Sequence, residues 1–345
     1  MNALRSPGVI AALAAAMLFG AGTPAAKMLL GPVSPWLLAG LLYLGSGIGL
    51  LLVRAFRGSA PIRMQPGEWR WLAGAIVAGG IAGPVLLMWG LARLPASNAS
   101  LLLNAEGVLT ALIAWFVFRE NFDRRIAAGM ALIVAGAAVI SWPHHVERGS
   151  GVASLAVVLA CLCWAIDNNL TRKVALSDAS FIAMAKGLVA GVVNVAIALT
   201  LGAQLPALPY GLAAGALGFV SYGLSLVLFV VALRGLGTAR TAAYFSTAPF
   251  IGALIAVPLL GEAVTSTLLA GGALMAAGVW LHLTERHVHP HTHEPIEHEH
   301  EHVHDTHHQH PHEHPAEGAH VHKHAHERTT HAHPHYPDAH HQHRH

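Results

Sequence analysis

An all-α integral membrane protein, with ten transmembrane helices arranged as two inverted five-helix repeats, is the fold class this sequence predicts. Three observations lead there. The 345 residues are 54% hydrophobic and only 11% charged, with a mean hydropathy of +0.50, a balance typical of chains solvated by lipid. Apolar runs long enough to cross a bilayer recur along the chain. The stretch Ala96 to Glu120, ASNASLLLNAEGVLTALIAWFVFRE, is echoed by Thr238 to Glu262, TARTAAYFSTAPFIGALIAVPLLGE, at a constant offset of 142 that sets Glu120 on Glu262.

The apolar segments fall near 7–29, 34–53, 71–91, 96–118, 126–142, 151–171, 179–201, 207–233, 238–260 and 266–283. Each has the length a tilted spanning helix needs. The first resembles a signal peptide in outline, with Arg5, an apolar run and small residues around Thr23 to Ala26. Its length and its internal partner argue for a retained helix instead. Lys and Arg set the orientation. With the N-terminus in the cytoplasm, Arg5, Arg54, Arg57, Arg63, Arg70, Arg119, Arg124, Arg125, Arg172, Lys173, Arg234 and Arg240 lie inside. Only Lys27, Arg93 and Arg148 lie outside. Ten spans then return the C-terminus to the cytoplasm of a bacterial-type inner membrane. Cys161 and Cys163, two apart on one helix, point to nearly opposite sides and read as small apolar fillers.

The internal repeat extends beyond the fourth and ninth segments. Leu18 to Lys27, LFGAGTPAAK, sits over Cys163 to Arg172, CWAIDNNLTR, with small residues, an aromatic and a terminal cation recurring. Gly129 falls on Gly271 and Gly136 on Gly278, again at 142. The divisions are 1–142, 143–284 and a tail, 285–345. An odd number of spans per half makes the second half enter from the opposite side. Inverted repeats are the architecture of many alternating-access carriers, with the site near the midplane between the halves.

The doubled five-helix unit, and the endings Phe118-Arg119-Glu120 and Leu260-Gly261-Glu262, resemble the EamA-type drug/metabolite transporter superfamily. The small-residue, aromatic-bearing first helix of each half fits as well. The resemblance covers about residues 7–283. It implies a carrier of metabolites, amino acids or related solutes through a central cavity, often outward.

Ionisable groups inside the spans are the candidate site. An acidic group at the bilayer centre costs about 2.5–3.5 kcal/mol on insertion scales, which a merely structural helix does not repay. Glu106 and Thr110 lie on one face of the fourth helix; Asp167 and Thr171 do the same on the sixth, beside Asn168 and Asn169. Lys186 and Asn194 lie within the seventh, and Asn98 and Asn104 on the fourth. Glu106, Asp167 and Lys186 are therefore expected to share one polar space. They contact substrate, with a carboxylate carrying a coupling proton, or Lys186 forms a structural ion pair with Asp167 or Glu106. Trp164 is a candidate to stack on an organic solute. Pro24 and Pro84 are candidate hinges, since a proline frees a carbonyl that must be satisfied by protein or water. Glu120 and Glu262, at helix ends, are expected to cap the following helix or pair with arginines, and Lys27 to snorkel outward.

From about Glu285 the composition changes. All of the 27 histidines except His144 and His145 lie from His282 onward. Alternating runs include His287, His289, His291 and His293; His298, His300, His302 and His304; and His320, His322, His324 and His326. The interleaved polar residues and prolines build no core, so disorder is expected. Imidazole is a good ligand for zinc, nickel, cobalt and copper, so transition-metal ions are the expected tail ligands. No nucleophile–base constellation, nucleotide loop, catalytic metal motif or required cofactor is legible, so an enzyme is not expected, and no nucleic-acid partner is.

The partners expected are the lipid bilayer, a small-molecule substrate and metal ions, with a homodimer left open. The function expected is a secondary transporter exporting a small metabolite or amino-acid-like solute by alternating access. The alternatives are a divalent nickel, cobalt or zinc transporter, or a non-transporting membrane metal sensor or scaffold.

Overall fold

The computed structural model describes residues 7–57, 64–65, 67–118, 124–141, 150–174, 178–236, 241, 244–283, 288–293, 296–302, 320–326 and 329–334. The chain divides into two units, Met1–Glu285 and Arg286–His345.

Among its described residues the first unit is helical throughout. Its elements are α1 (Pro7–Leu29) and α2 (Pro35–Arg57), then α3, built of Glu68–Ala75, a π-helical turn Ile76–Ala82, and Gly83–Leu91. Next come α4a (Ala96–Leu102) and α4b (Ala105–Phe118), α5 (Arg124–Ser141), α6 (Ser150–Thr171) and α7 (Ala179–Thr200). α8 repeats the plan of α3: Leu208–Gly218, a π-helical turn Phe219–Leu224, and Ser225–Leu236. α9 (Ala248–Leu260) and α10 (Ser266–Leu283) complete it. Seven of the described helices are long and apolar enough to cross a membrane. Shorter apolar helices at Ala127–Ser141, Ala248–Leu260 and Ser266–Leu281 stand where the sequence places spans five, nine and ten.

The elements form for local reasons. Asp178 caps α7, accepting from Ser180 N at 2.8 Å and Phe181 N at 3.2 Å. Arg54, from the last turn of α2, reaches the same carboxylate at 2.6 Å and also bonds Ser180 Oγ. α9 stops at Gly261, whose φ of 64° lies in the left-handed region and whose N–H closes on Val257 O. The two π turns stand 142 residues apart to within a residue, in α3 and α8, as the sequence offset requires.

Some elements pack on their repeat mates and others cross between the halves. α2 packs on α7 and α5 on α10; α1 packs on α8 and α9, as α6 packs on α3 and α4b. Glycine sets the close approaches, as apolar membrane helices require when no water drives them together. Gly40 lies against Val195, Gly47 against Leu188 and Gly191 against Leu44, so α2 and α7 run antiparallel. Gly136 meets Gly271 and Gly278 meets Gly129, so α5 and α10 do too. A Cβ added at Gly278 would stand 2.5 Å from Gly129 O, and at Gly136 2.7 Å from Gly271 O.

Among its described residues the second unit contains four strands: β1 (Val288–His293), β2 (Ile296–His302), β3 (His320–His326) and β4 (Thr329–Pro334). β1 pairs antiparallel with β4, and β2 with β3. The sequence led us to expect disorder over this stretch, and the alternating His-X-His pattern, with its period of two, is what a strand register accommodates. His298 opposes His324, His300 opposes His322 and His302 opposes His320. His289 opposes His333, His291 opposes His331, His293 opposes Thr329 and His326 opposes Ile296. His287 and His304 lie outside the described residues.

Candidate functional site

The polar groups gather around the α3 π turn and the facing side of α6. A π turn alters the hydrogen-bonding register and is frequent at functional sites. Here the Gly79 carbonyl accepts from Tyr43 OH at 2.7 Å and from Trp164 Nε1 at 2.9 Å. The Gly80 carbonyl accepts from Asn194 Nδ2 at 3.1 Å. Gly79 must be glycine, because a Cβ there would fall on the Asp167 carboxylate. Pro84, just inside the helix that follows the turn, has no N–H to place. Pro24 is buried within α1, and the helix runs through it from Pro7 to Leu29.

Asp167 and Lys186 form one buried ion pair. Lys186 Nζ lies 2.6 Å from both Asp167 oxygens, and Thr171 Oγ1 donates to Oδ1 at 2.8 Å. Of the two partners the sequence left open for Lys186, the structure selects Asp167. Glu106 is held differently. It stands in the first turn of α4b, after a tight turn at Leu103 and Asn104, and its Oε1 accepts from Asn168 Nδ2 at 2.8 Å. Among the described residues no ion pair includes Glu106. Thr110, one turn further on, has a buried Oγ1 without a hydrogen-bond partner among the described residues, as do Asn194 Oδ1 and Asn104 Oδ1.

Aromatic rings border this cluster. Phe19 of α1 meets Trp164 edge-on at 6.4 Å and Tyr222 at 5.8 Å, and Tyr43 lies 5.5 Å from Tyr222. Tyr222 belongs to the α8 π turn, so the repeat-related turn supplies the ring that closes this side. Tyr43, Gly79, Phe19 and Tyr222 were not among the sequence candidates. The Gly79-Gly80 pair ahead of Gly83-Pro84, aligned with Ser221 to Gly223, was the signal that could have found the two turns.

One end of the bundle is tied by two charged side chains. Lys27 does not snorkel outward: its Nζ donates to Leu91 O at 2.5 Å and Leu94 O at 2.8 Å, answering carbonyls at the C-terminus of α3. Glu262 accepts from Ala96 N at 2.5 Å, Ser97 N at 2.9 Å and Ser97 Oγ at 2.5 Å. It caps α4a, in the other half of the chain, rather than the helix that follows it. The left-handed Gly261 ends α9 just where Glu262 turns toward that helix start. Glu120 lies outside the described residues. Among the described residues no group of three or more His, Cys, Asp or Glu is placed to hold a metal ion.

Comparison with known proteins agrees with this architecture. The model of the EamA-like transporter family matches twice, over residues 6–142 and 151–284. The chain is 26% identical over 295 residues to an uncharacterized transporter of Methanothermobacter thermautotrophicus, covering 79% of this chain and 85% of that protein. It is 31% identical over 207 residues to a protein of Streptantibioticus cattleyicolor named as a probable terminal-alkyne amino-acid exporter, covering 57% and 67%. A solved crystal structure superposes with a TM-score of 0.62 at 20% identity, over 80% of this chain and 96% of that one. That last likeness is one of fold.

Proposed function

The chain belongs to the EamA-like transporter family, and from that premise we propose that it exports a small metabolite or amino-acid-like solute by alternating access between two inverted five-helix repeats. The observation that carries this reading is the antiparallel packing of repeat mates, α2 on α7 and α5 on α10, beside a buried polar cluster. Mates that run antiparallel are what two copies inserted in opposite directions produce, and a carrier of this kind exchanges the roles of its halves. The amino-acid exporter of Streptantibioticus cattleyicolor supports the choice of solute class.

The bias of Lys and Arg puts the Arg54 end of the bundle in the cytoplasm and the Lys27 end outside, with both termini cytoplasmic. On that assignment the end tied by Lys27 and Glu262 is the outward one. α4a packs on α9 at the Lys27 end, with Ala96, Ala99 and Leu102 fully buried, whereas Phe116 and Val117 of α4b are exposed. Lys27 and Glu262 hold the Leu91–Ser97 turn shut, and export requires both contacts to release. Reconstituted protein in vesicles tests the reading. Counterflow of an amino-acid mixture above that of empty vesicles is expected, and flux of none of the solutes would overturn it.

The tail is proposed to bind transition-metal ions, through the histidines brought opposite one another on β2 and β3 and on β1 and β4. Titration of the full chain with zinc or nickel is expected to saturate more than one site, and deletion of residues 285–345 to remove this binding while solute flux persists. Loss of solute flux together with metal binding would shift the reading toward a metal carrier.

A further inference from the structure

The polar cluster has a charge imbalance that names what it takes. Asp167 is fully answered: both oxygens lie 2.6 Å from Lys186 Nζ and one also accepts from Thr171. That pair is neutral, and its lysine is spent. Glu106 is answered only by a neutral amide, Asn168 at 2.8 Å, and joins no ion pair among the described residues. Ionised Glu106, Asp167 and Lys186 together carry one negative charge. In a span, lipid cannot supply the missing cation, and such groups face a watery cavity or a ligand.

Two further observations support a ligand beside Glu106. Thr110 Oγ1, four residues along the same face of α4b, is buried without a partner among the described residues. Trp164, four residues before Asn168 on the same face of α6, carries the aromatic group of Phe19 and Tyr222 to within about one turn of the carboxylate. A charged point is thus flanked by an apolar, ring-lined wall.

We propose that Glu106 is the recognition site for the ammonium group of the transported solute, so that the substrates are amines whose apolar portion lies against Phe19, Trp164 and Tyr222. This rests on the carrier reading above for its physiological meaning, though not for its test. The cation completes the ion pair that the protein leaves open on Glu106, as Lys186 does for Asp167. A neutral analogue leaves a carboxylate in the membrane without a counter-charge, and is excluded on that ground. Asn168 is a positioning residue: its amide fixes one carboxylate oxygen and leaves the other for the ligand.

The test is direct binding to the purified full chain in detergent, using two probes of one shape, 2-phenylethylamine and 2-phenylethanol. The wild-type chain is expected to bind the amine at least about tenfold more tightly than the alcohol. In Glu106→Gln that preference is expected to vanish through loss of amine affinity. Glu106→Asp keeps the charge, and is expected to retain the preference, showing that the glutamine variant fails in charge rather than in folding. Equal binding of both probes by the wild-type chain would overturn the proposal. So would amine binding that survives Glu106→Gln while the pH dependence of flux is lost, which would make Glu106 a proton carrier alone. Glu106-dependent amine binding with no flux would leave this site standing and sink the carrier reading.

Discussion

The two halves of the fourth span live in different surroundings. α4a is buried at every position but Asn98, and its first N–H groups end on Glu262. α4b has Glu106 in its first turn, carries exposed Gly107, and near its end exposes Phe116 and Val117. α4a, with Ser97, Asn98 and Ser100, is the more polar of the two, so hydropathy does not explain why it is the buried one. What differs is whether a charged group from the opposite half of the chain has reached the helix. At the Lys27 end Glu262, from the opposite half, answers free N–H groups of α4a, while Lys27, from the same half, answers free carbonyls at the end of α3. A helix terminus leaves about four groups of each kind without intrahelical partners, so a few charged contacts can hold or release a whole helix end.

This contrast can be broken most severely at its midpoint. Lys186→Met leaves Asp167 buried and unpaired, a loss of about 3–5 kcal/mol, and is expected to lower the melting temperature in detergent more than any other single change considered. Adding Asp167→Asn is expected to recover part of that loss. If Lys186→Met alone melts like the wild type, the pair does not organise the site. Next in size is the closed end. Glu262→Ala strips the Ala96 and Ser97 donors of their acceptor and is expected to cost about 1–3 kcal/mol, read as faster hydrogen exchange over 96–102 with 105–118 unchanged. Exchange that rises equally over both halves would erase the distinction.

The Arg54 end gives a smaller effect. Burial pushes the Asp178 carboxyl up, but the hydrogen bonds from Arg54, Ser180 and Phe181 and the Arg54 charge outweigh it, leaving it below its ordinary value. A carboxyl lowered on folding stabilises the fold above its unfolded-state value of about 3.9, and that stability is lost as pH falls through the folded value. Asp178→Ala is expected to cost about 0.5–2 kcal/mol as a lost helix cap and to flatten the acid limb of a melting-temperature profile between about pH 5 and 3. An unchanged acid limb would show the cap to be idle. The smallest effect is expected at Glu106→Gln. Removing a carboxylate with no ion pair is expected to leave the melting temperature equal or slightly higher, in contrast to Lys186→Met. A marked drop would mean that Glu106 is structural.

Much of this was legible because it depends on period and offset. The run lengths gave the helices, and the 142-residue offset aligned Gly129 with Gly271 and Gly136 with Gly278, the glycines at which α5 and α10 meet, although neither π turn was foreseen. Glu106, Asp167 and Lys186 announced themselves by cost. What was not legible depends on where a backbone turns. Nothing local in Gly79 says that Asp167 will lie against it, and Lys27 looked like any terminal cation until α3 ended beside it. Glu262 read as a cap for its own successor because sequence proximity favours that. The left-handed Gly261 sends it across to α4a instead. Histidine periodicity gave the tail its alternation without showing which histidines would face one another.

The proposed carrier requires that the Lys27 and Glu262 contacts close one end of a site that opens to the other, and a pair of single cysteines tests this most directly. In a chain with Cys161 and Cys163 replaced by alanine, Ser100→Cys reports the closed end and Asn168→Cys the exposed one. A membrane-impermeant maleimide is expected to label Asn168→Cys from the Arg54 side only and to leave Ser100→Cys untouched. Adding Glu262→Ala is then expected to expose Ser100→Cys to the opposite side while labelling at Asn168→Cys falls. Labelling of both positions from one side, or no response of either to Glu262→Ala, would contradict the account.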